Sequence, residues 1–361
     1  MSLEGVFRSV AARRRGWALL GWLLYPLGAL YGFCSHIRRR AWLCGMLPRT
    51  RLSVPVVSIG NLEVGGTGKT PITAWIAGRL AARGYRVAVV ARDLNRRSGE
   101  PSNASKQFRA SGSKAPSDEV MLLAQMLPEC TVYAGPDKTG AAVRAVREQS
   151  PDVVLVDDGF QHLKLFRDID IVVLDFDHPF GMGGVLPSGT LREFPNALRH
   201  ADYYWVSRVE PGRSGEWMTR ALSLFNWRAP MVTSRMMPGR LELMGGGSVD
   251  PAGLKVLAFC GIGSPEGFRR TLGLAGCEVL DMVRFPDHYE YRPEELAMLE
   301  ERRRILKADF LVTTQKDSVK LGRTGREMNI GWLVVGLDVQ GEHARLLDDI
   351  QALVLKRREA P

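Results

Sequence analysis

Short apolar runs alternate with amphipathic stretches along most of the chain. The strand candidates are the apolar runs 54–59, 85–91, 153–158 and 169–175, and the helix candidates are 70–83 and 118–126. Apolar runs of this length that alternate with helical stretches are typical of parallel strands joined by crossover helices. The pattern therefore predicts an α/β fold with a parallel sheet at its centre.

Polar and glycine-rich segments interrupt this alternation twice. Residues 94–117 are rich in Ser, Lys and Arg and predict a long loop, while 236–253 contains three consecutive glycines. The strand and helix pattern resumes after the second break, which indicates a second domain. We therefore predict an N-terminal membrane anchor over 1–50, a core domain over 51–235, a linker over 236–253 and a second, smaller α/β domain over 254–361.

The anchor is predicted from an uncharged apolar run of 19 residues, 16–34, between the arginine clusters 13–15 and 38–40. As a helix it would span ~28 Å, close to the ~30 Å hydrocarbon core of a bilayer. Pro26 near its middle would kink such a helix, so a spanning and a monotopic arrangement both remain open. A buried core helix is the less favoured alternative, because arginines bracket the run.

The distribution of charge supports an anchor rather than a nucleic-acid groove. The first 51 residues contain nine arginines and one acid, and they therefore carry most of the net charge of +10. A nearly neutral body disfavours binding to nucleic acid, so no nucleic-acid partner is expected. The five cysteines form no C-x-x-C pair, which is typical of reduced thiols in a cytoplasmic protein without a disulfide or metal framework.

The stretch NLEVGGTGKTP, residues 61–71, has the form of a phosphate-binding loop whose first glycine is missing. In the pattern G-x-x-x-x-G-K-[ST] that glycine stands five positions before Gly68, where this chain has Glu63. The candidate nucleotide-binding residues are Val64, Gly65, Gly66, Thr67, Gly68, Lys69 and Thr70. Lys69 supplies a positive charge for phosphate, and the Thr70 hydroxyl suits Mg²⁺. With a predicted strand before it and a predicted helix after it, the loop indicates a P-loop NTPase-like core.

Several acids and one histidine are candidates for the chemistry. Asp157 and Asp158 end the predicted strand 153–158, where P-loop enzymes carry a metal-binding aspartate, although adjacent acids at a strand end can also be simply solvated. Asp118 precedes a helical run, and from the local sequence alone a helix cap is the favoured interpretation. His288, in FPDHYEY, has no strong signal of its own.

Taken together, these motifs resemble the tetraacyldisaccharide 4′-kinase family, the lipid A 4′-kinases of Gram-negative inner membranes. The motifs are GNLEVGGTGKTP, SDE, DDGFQH, LPSGTLRE at 186–193, GIGSP, FPDHY and TTQKD at 313–317. With the apolar N-terminus they cover nearly the whole chain. The family's loop reads V-G-G-T-G-K-T-P and commonly lacks the early glycine, so the resemblance accounts for Glu63.

The resemblance implies transfer of the γ-phosphate of ATP to the 4′-hydroxyl of a tetraacylated glucosamine disaccharide 1-phosphate. Lys69 would hold the phosphates, and Asp118 would be the general base, supported by His288 from the second domain. The residues implied at the Mg²⁺ ion are Thr70, Asp157, Asp158 and Glu193. Arg192 would contact phosphate.

The resemblance also implies where the enzyme works and what it contacts. Its acceptor is an acylated disaccharide lipid whose chains stay in the membrane, so inner-membrane lipids are expected partners. Because ATP is cytoplasmic, the catalytic body is expected on the cytoplasmic face of the inner membrane.

The chain departs from the family pattern in three places. An S-R-G-Y-G-like turn usually follows the strand 85–91, whereas this chain has ARDLN at 91–95. Gln315 stands where Glu is common, and Ser117 where Gly is common. The altered turn leaves open a relative that binds nucleotide and lipid without transferring phosphate. A membrane switch of the ParA/MinD type is the other alternative, but its signature lysine would fall at Val64.

Overall fold

The computed structural model describes residues 14–93, 102–103, 116–181, 183–210, 212–213, 215–287, 289–321, 325 and 328–359. The described residues form two compact units. We call the first, within 1–111, 127–235 and 339–361, the P-loop unit, and the other, within 112–126 and 236–338, the second unit. Each unit has its own hydrophobic core.

The secondary structure follows the predicted alternation. The strands are β1 (Val56–Gly60), β2 (Val87–Arg92), β3 (Ser102–Asn103), β4 (Thr131–Gly135), β5 (Val153–Asp157), β6 (Ile169–Asp175), β7 (Tyr203–Ser207), β8 (Met231–Leu243), β9 (Ser248–Val249), β10 (Lys255–Cys260), β11 (Glu278–Arg284), β12 (Phe310–Thr314) and β13 (Ile330–Gly341). The helices are α1 (Arg14–Leu43), α2 (Lys69–Ala82), α3 (Asp118–Met126), α4 (Lys138–Gln149), α5 (Glu216–Asn226), α6 (Pro265–Leu274), α7 (Pro293–Leu306), α8 (Gln315–Ser318) and α9 (His343–Glu359), with a 3₁₀ helix over Pro195–His200.

The sheet of the P-loop unit places β1 between β5 and β6. Its strand order is β8-β7-β6-β1-β5-β2-β4-β3, and the pairings are parallel except for the short antiparallel pair of β3 with β4. β1, β5 and β6 are buried along their whole length, as expected of parallel strands covered on both faces. The predicted parallel α/β core is therefore confirmed. The carboxyl ends of these strands share one edge, where β1 leads into the phosphate loop.

α2 is held against this sheet by one apolar face. Ile72, Ile76 and Leu80 recur every four residues and are at most 1% exposed. Each contributes roughly 1.5–3 kcal/mol by its burial. Gly84 ends the helix in the left-handed region, with φ 86°. The packing of this face fixes the helix N-terminus, at Lys69, beside the carboxyl ends of the strands.

α1 packs on the P-loop unit through a narrow stripe of small and polar residues. Gly28, Gly32, Ser35 and Arg39 are buried, and their spacing of four, three and four residues places them on one side of the helix. A Cβ added at Gly28 would lie 2.7 Å from the carbonyl oxygen of Val185, so only glycine allows this approach. The exposed residues of the helix include Leu23, Tyr25, Leu27, Leu30, Tyr31, Phe33 and Ile37. These exposed apolar side chains thus lie outside the buried stripe.

The predicted membrane helix over 16–34 lies within α1, which continues through Pro26. Of the helices in the described part of the chain, none is long and apolar enough to cross a bilayer. A membrane-spanning N-terminal helix is therefore not confirmed. Whether α1 associates with a membrane stays a prediction.

The second unit has parallel strands of its own. Its strand order is β11-β10-β12-β13 followed by the end of β8, and β10 pairs in parallel with both β11 and β12. One core cluster includes Phe268 and Leu272 of α6, and another includes Leu296 and Leu299 of α7. The second unit thus combines parallel strands with helices.

The unit boundaries differ from the predicted domain boundaries in three places. The chain leaves the P-loop unit within β8, so 236–253 is not a linker: it holds the end of β8 and an antiparallel hairpin to β9, with the glycine run in the turn. α3 contacts α8 and belongs to the second unit. α9 belongs to the P-loop unit, where Tyr203 donates a hydrogen bond of 2.5 Å to Asp349. Nothing in the local sequence of β8, α3 or α9 indicates the unit to which that element belongs.

Candidate active site

The phosphate loop joins the end of β1 to the start of α2, as its motif predicts. Gly65 and Gly68 have φ of 151° and 83°, which glycine adopts without steric cost. Asn61 donates a hydrogen bond of 3.0 Å to the hydroxyl of Thr67 and closes the loop. A Cβ added at Gly65 or Gly66 would meet no atom of the described residues within 4 Å. This side of the loop is therefore open to a ligand, beside the N-terminus of α2.

Residues at the end of β7 engage two carbonyl groups of the loop. Ser207 donates to the carbonyl oxygen of Thr67 at 2.9 Å, and Arg208 donates to that of Gly66 at 2.6 Å. Arg208 also pairs with Asp175 at 2.6 Å. Because these oxygens accept hydrogen bonds from the protein, their repulsion of a phosphate is reduced. The backbone N–H groups are then available for anion binding.

The structure explains how the loop tolerates Glu63 in place of glycine. Glu63 forms an antiparallel bridge with Leu191, and Val64 donates its N–H to the carbonyl oxygen of Thr190 at 2.8 Å. A bridge of this kind needs an extended backbone, which any residue can adopt. Burial raises the pKa of the Glu63 carboxyl, although a hydrogen bond with Thr190 opposes the shift. The early glycine is unnecessary because this part of the loop pairs as a strand.

Asp157 lies at the end of β5, against the first turn of α2. One carboxylate oxygen is 3.3 Å from the Thr70 hydroxyl, and the other accepts a hydrogen bond of 2.9 Å from Thr73. Burial raises the pKa of Asp157, while the nearby charges of Lys69 and Lys138 act in the opposite direction. The structure thus brings together the acid and the hydroxyl that the sequence predicts at the metal.

Asp158 is surrounded by three cationic side chains. Lys69 Nζ lies 3.4 Å from one carboxylate oxygen, and Arg192 Nη1 lies 2.8 Å from the other. Burial alone would raise the pKa of Asp158, but the charges of Lys69 and Arg192 outweigh it and hold the pKa well below its usual range. Asp158 has φ 51°, a left-handed conformation that Asp tolerates better than most residues. The carboxylate is therefore a fixed negative charge between the phosphate-loop lysine and Arg192.

Lys138 is the third cation, and no motif in the sequence predicts it. It is the first residue of α4, is 5% exposed and donates a 2.5 Å hydrogen bond to the carbonyl oxygen of Asp158. Burial lowers the pKa of Lys138, while Asp158 and Asp157 oppose this shift. The available signal was its position directly after β4, because the carboxyl ends of parallel strands meet at one edge of the sheet.

Glu193, predicted at the metal, is paired with Arg39 of α1. Arg39 Nε lies 2.6 Å from one carboxylate oxygen and Nη2 lies 2.9 Å from the other, and both side chains are buried. Arg192, the preceding residue, contacts Asp158 instead. Glu193 therefore adjoins the site, but both of its oxygens are occupied by Arg39. Its predicted contact with the metal stays a prediction.

In the second unit, Asp118 is held by a buried lysine. α3 begins at Asp118, and its carboxylate lies 3.0 Å from Lys320 Nζ, which is also 3.3 Å from Asp317. Asp317 is fully buried and accepts hydrogen bonds from the N–H of Gly261 at 3.1 Å and the hydroxyl of Thr314 at 2.8 Å. The motifs SDE, GIGSP and TTQKD therefore meet at one cluster. Lys320 was missed because nothing local in the sequence marks it.

The remaining predicted residues are described only in part. His288 lies outside the described residues, as does most of 94–117. Its neighbour Asp287 pairs with Lys316 at 3.1 Å. Gln315, where the family commonly has Glu, is the first residue of α8. The role of His288 therefore stays a prediction from the resemblance.

The residues beside the phosphate loop suit Mg²⁺ better than a closed metal cage. In the part of the chain that the structure describes, no group of three His, Cys, Asp or Glu side chains could hold a metal ion alone. Mg²⁺ commonly takes one or two protein oxygens and completes its shell with water and substrate phosphates. Asp157 and Thr70 supply such a pair. Oδ1 of Asp158 lies 3.4 Å from Lys69 Nζ but accepts no hydrogen bond from the described residues, so it is a further oxygen for this shell.

Comparison with known proteins identifies the family. The family model described as Tetraacyldisaccharide-1-P 4′-kinase (LpxK) matches residues 20–355. The tetraacyldisaccharide 4′-kinases of Geobacter metallireducens and Pelobacter propionicus are 37% and 36% identical to this chain. The first alignment covers 87% of this chain and 92% of the relative, and the second covers 92% of each.

A solved structure of LpxK from Aquifex aeolicus, described as an "apo" form in complex with ATP, is similar over almost its full length. The comparison covers 93% of this chain and 99% of that chain, with 29% identity and a TM-score of 0.73. Sequence similarity and fold similarity thus indicate the same family over nearly the whole chain. The chain belongs to the tetraacyldisaccharide-1-P 4′-kinase family.

Proposed function

We propose that the protein transfers the γ-phosphate of ATP to the 4′-hydroxyl of a tetraacyldisaccharide 1-phosphate. The observation that carries this proposal is the open phosphate loop with Lys69 and Thr70 beside the two acids at the end of β5. Membership of the kinase family supports both the reaction and the acceptor. ATP as the donor is supported by the similarity to LpxK from Aquifex aeolicus, whose structure is described with ATP.

The P-loop unit supplies the charges that phosphoryl transfer needs. Lys69, Lys138 and Arg192 surround the carboxylate and carbonyl oxygens of Asp158, so bound phosphates would enter a positive environment. Thr70 and Asp157 would hold Mg²⁺, which when bound neutralises the β- and γ-phosphate charge. Asp158 keeps Lys69 and Arg192 in place until a phosphate arrives.

Asp118 is the proposed general base of the second unit. Its carboxylate would accept the proton of the 4′-hydroxyl as the bond from that oxygen to the γ-phosphorus forms and the bond from the γ-phosphorus to ADP breaks. Lys320 holds one side of this carboxylate, and Asp317 holds Lys320 in turn. A carboxylate held in this way has a fixed orientation, which a base that acts on a bound alcohol requires.

We further propose that α1 meets the inner membrane through its outward apolar side chains. Leu27 and Leu30 are 55% and 59% exposed, and the glycine stripe faces the opposite way. Vesicles of phosphatidylethanolamine and phosphatidylglycerol should retain the wild type in a flotation assay and retain the Leu27→Glu/Leu30→Glu variant less. Leu224→Glu, in an 84% exposed position on α5, is the control. Equal binding of the wild type and the double variant would contradict this proposal.

The activity is tested with [γ-³²P]ATP, Mg²⁺ and tetraacyldisaccharide 1-phosphate in detergent, followed by thin-layer chromatography. The wild type should label the lipid, and Lys69→Ala should not. Lys164→Ala removes the same charge from an exposed lysine and should leave labelling unchanged. An unlabelled lipid despite intact ATP binding would refute the kinase proposal and favour an inactive relative.

A further inference from the structure

The buried arginine of α1 contacts two loops of the site at once. Arg39 is 2% exposed and forms a bidentate ion pair with Glu193, at 2.6 and 2.9 Å. Its Nη2 also donates a hydrogen bond of 3.0 Å to the carbonyl oxygen of Phe160, and its guanidinium carbon lies 4.3 Å above the Phe160 ring. One planar cation is thus fixed to two segments that are far apart in the sequence.

Both contacts of Arg39 adjoin residues of the proposed phosphate site. Phe160 follows Asp158 by two residues, and Glu193 directly follows Arg192. Asp158 and Arg192 are themselves joined by an ion pair of 2.8 Å. The segments 157–162 and 186–193 are therefore linked twice, by Asp158 and Arg192 beside the phosphate loop and by Arg39 from α1.

The contact between α1 and the second of these segments does not depend on Arg39 alone. A Cβ added at Gly32 would lie 2.5 Å from the ring of Phe194, and one added at Gly28 would lie 2.7 Å from the carbonyl oxygen of Val185. Two turns of the helix therefore lie against Val185 and Phe194, the residues on either side of the segment 186–193 that carries Arg192. Arg39 is placed over this segment by backbone packing, so its position is specified by the fold.

We infer that Arg39 is a positioning residue for phosphoryl transfer, which sets the relative placement of Asp158 and Arg192. The inference rests on the proposed kinase function. With this role for Arg39, α1 has two functions: it is proposed to meet the membrane, and it also supports the phosphate site. Only arginine fits this position, since its fork binds both oxygens of Glu193 while its planar face stacks on Phe160.

The test uses the full-length enzyme in detergent and variants at three adjacent arginines. Arg39→Gln removes the bidentate pair, and Arg39→Lys keeps the charge but not the fork. Arg38 and Arg40 are exposed, so Arg38→Gln and Arg40→Gln remove the same charge from the same turn without touching either loop. Each variant is assayed for kcat, for KM of ATP and for melting temperature.

Arg39→Gln should lower kcat and raise KM for ATP, with a combined loss in kcat/KM on the order of tenfold to a hundredfold. Arg39→Lys should melt close to the wild type, because Glu193 keeps a partner, and should still lose several-fold in kcat/KM. The two neighbouring variants should match the wild type. If Arg39→Gln does not fold, Arg39→Lys alone carries the test.

The inference is overturned if a folded Arg39→Gln or Arg39→Lys enzyme has the kcat and KM of the wild type. A lower melting temperature with unchanged kinetics would show a purely structural role, which also overturns it. An inactive wild type would show that the proposed kinase function is wrong. An active wild type whose kcat and KM are the same as those of the Arg39 and Arg40 variants would show that only this inference is wrong.

Discussion

His162, in the DDGFQH segment, should make the stability of the P-loop unit depend on pH. Its Nε2 lies 2.8 Å from the hydroxyl of Thr139, and its side chain is 24% exposed. Burial and then the positive charge of Lys138 lower the pKa of His162 to about 4, from an ordinary value of about 6.5. Below pH 6.5 the unfolded chain therefore binds a proton that the folded protein rejects. Stability contributed by the neutral imidazole is lost as the pH falls from 6.5 towards 4.

The size of this effect follows from the two pKa values. With about 6.5 for the unfolded and about 4 for the folded protein, the free energy of unfolding should fall by about 2 kcal/mol between pH 7.5 and pH 5. Solvent reaches part of the ring and screens the effect, so we expect ~1–2 kcal/mol.

Urea unfolding at a series of pH values measures the effect against a matched variant. His162→Gln keeps a group that can hydrogen-bond to Thr139 but does not titrate. The wild type should lose ~1–2 kcal/mol more than the variant between pH 7.5 and pH 5, and the two curves should run parallel above pH 7. Equal losses in both proteins would refute the argument that a neutral imidazole is maintained beside Lys138.

Two further predictions concern the groups that hold the acids. Thr73→Val, a replacement of similar shape, removes a hydrogen bond to the buried Asp157 and should cost about 2 kcal/mol in urea unfolding. It should also raise the Mg²⁺ concentration needed for half-maximal labelling. Thr→Val at an exposed helix position is the control, and equal effects of the two variants would contradict the prediction. Lys320→Met removes the cation that pairs with the buried Asp317 and with Asp118. It should therefore cost about 3 kcal/mol in urea unfolding and lower kcat. Met in place of an exposed lysine is the control, and an unchanged kcat would separate Lys320 from the action of Asp118.

The parts of the site whose positions follow from the sequence have a local cause. The phosphate loop is a contiguous motif, and its strand and helix follow from apolar periodicity over neighbouring residues. Asp157 and Asp158 end an apolar run, so their place at the carboxyl edge of the sheet follows once the sheet is parallel. In these cases the residues that determine the structure lie within a few positions of the residues that carry the chemistry.

The missed residues have causes that are distant in sequence. Lys138 reaches the site because β4 and β5 end at one edge of the sheet, although 20 residues separate Lys138 from the carbonyl group of Asp158 that it binds. Arg39 and Glu193 are 154 residues apart. The glycine run at 245–247 predicted a linker, but antiparallel pairing of β8 with β9 uses it as a hairpin turn. A glycine-rich composition shows that a strand or helix ends there, but it does not show which strands pair on either side of the turn.

The arginines of α1 have two roles that composition cannot separate: some contribute positive charge at the surface, and one pairs with a buried carboxylate. Arg38, Arg39 and Arg40 contribute equally to the basic N-terminus, and charge alone assigns all three to a membrane anchor. The buried stripe of α1 distinguishes them, because a helix turns about 100° per residue and only position 39 continues the line of Gly28 and Gly32. A cation that pairs with a buried carboxylate must have the right hydrogen-bonding geometry. At an exposed position the sign of the charge is the main requirement. Substitution by lysine should therefore be tolerated at positions 38 and 40 and should impair the enzyme at position 39.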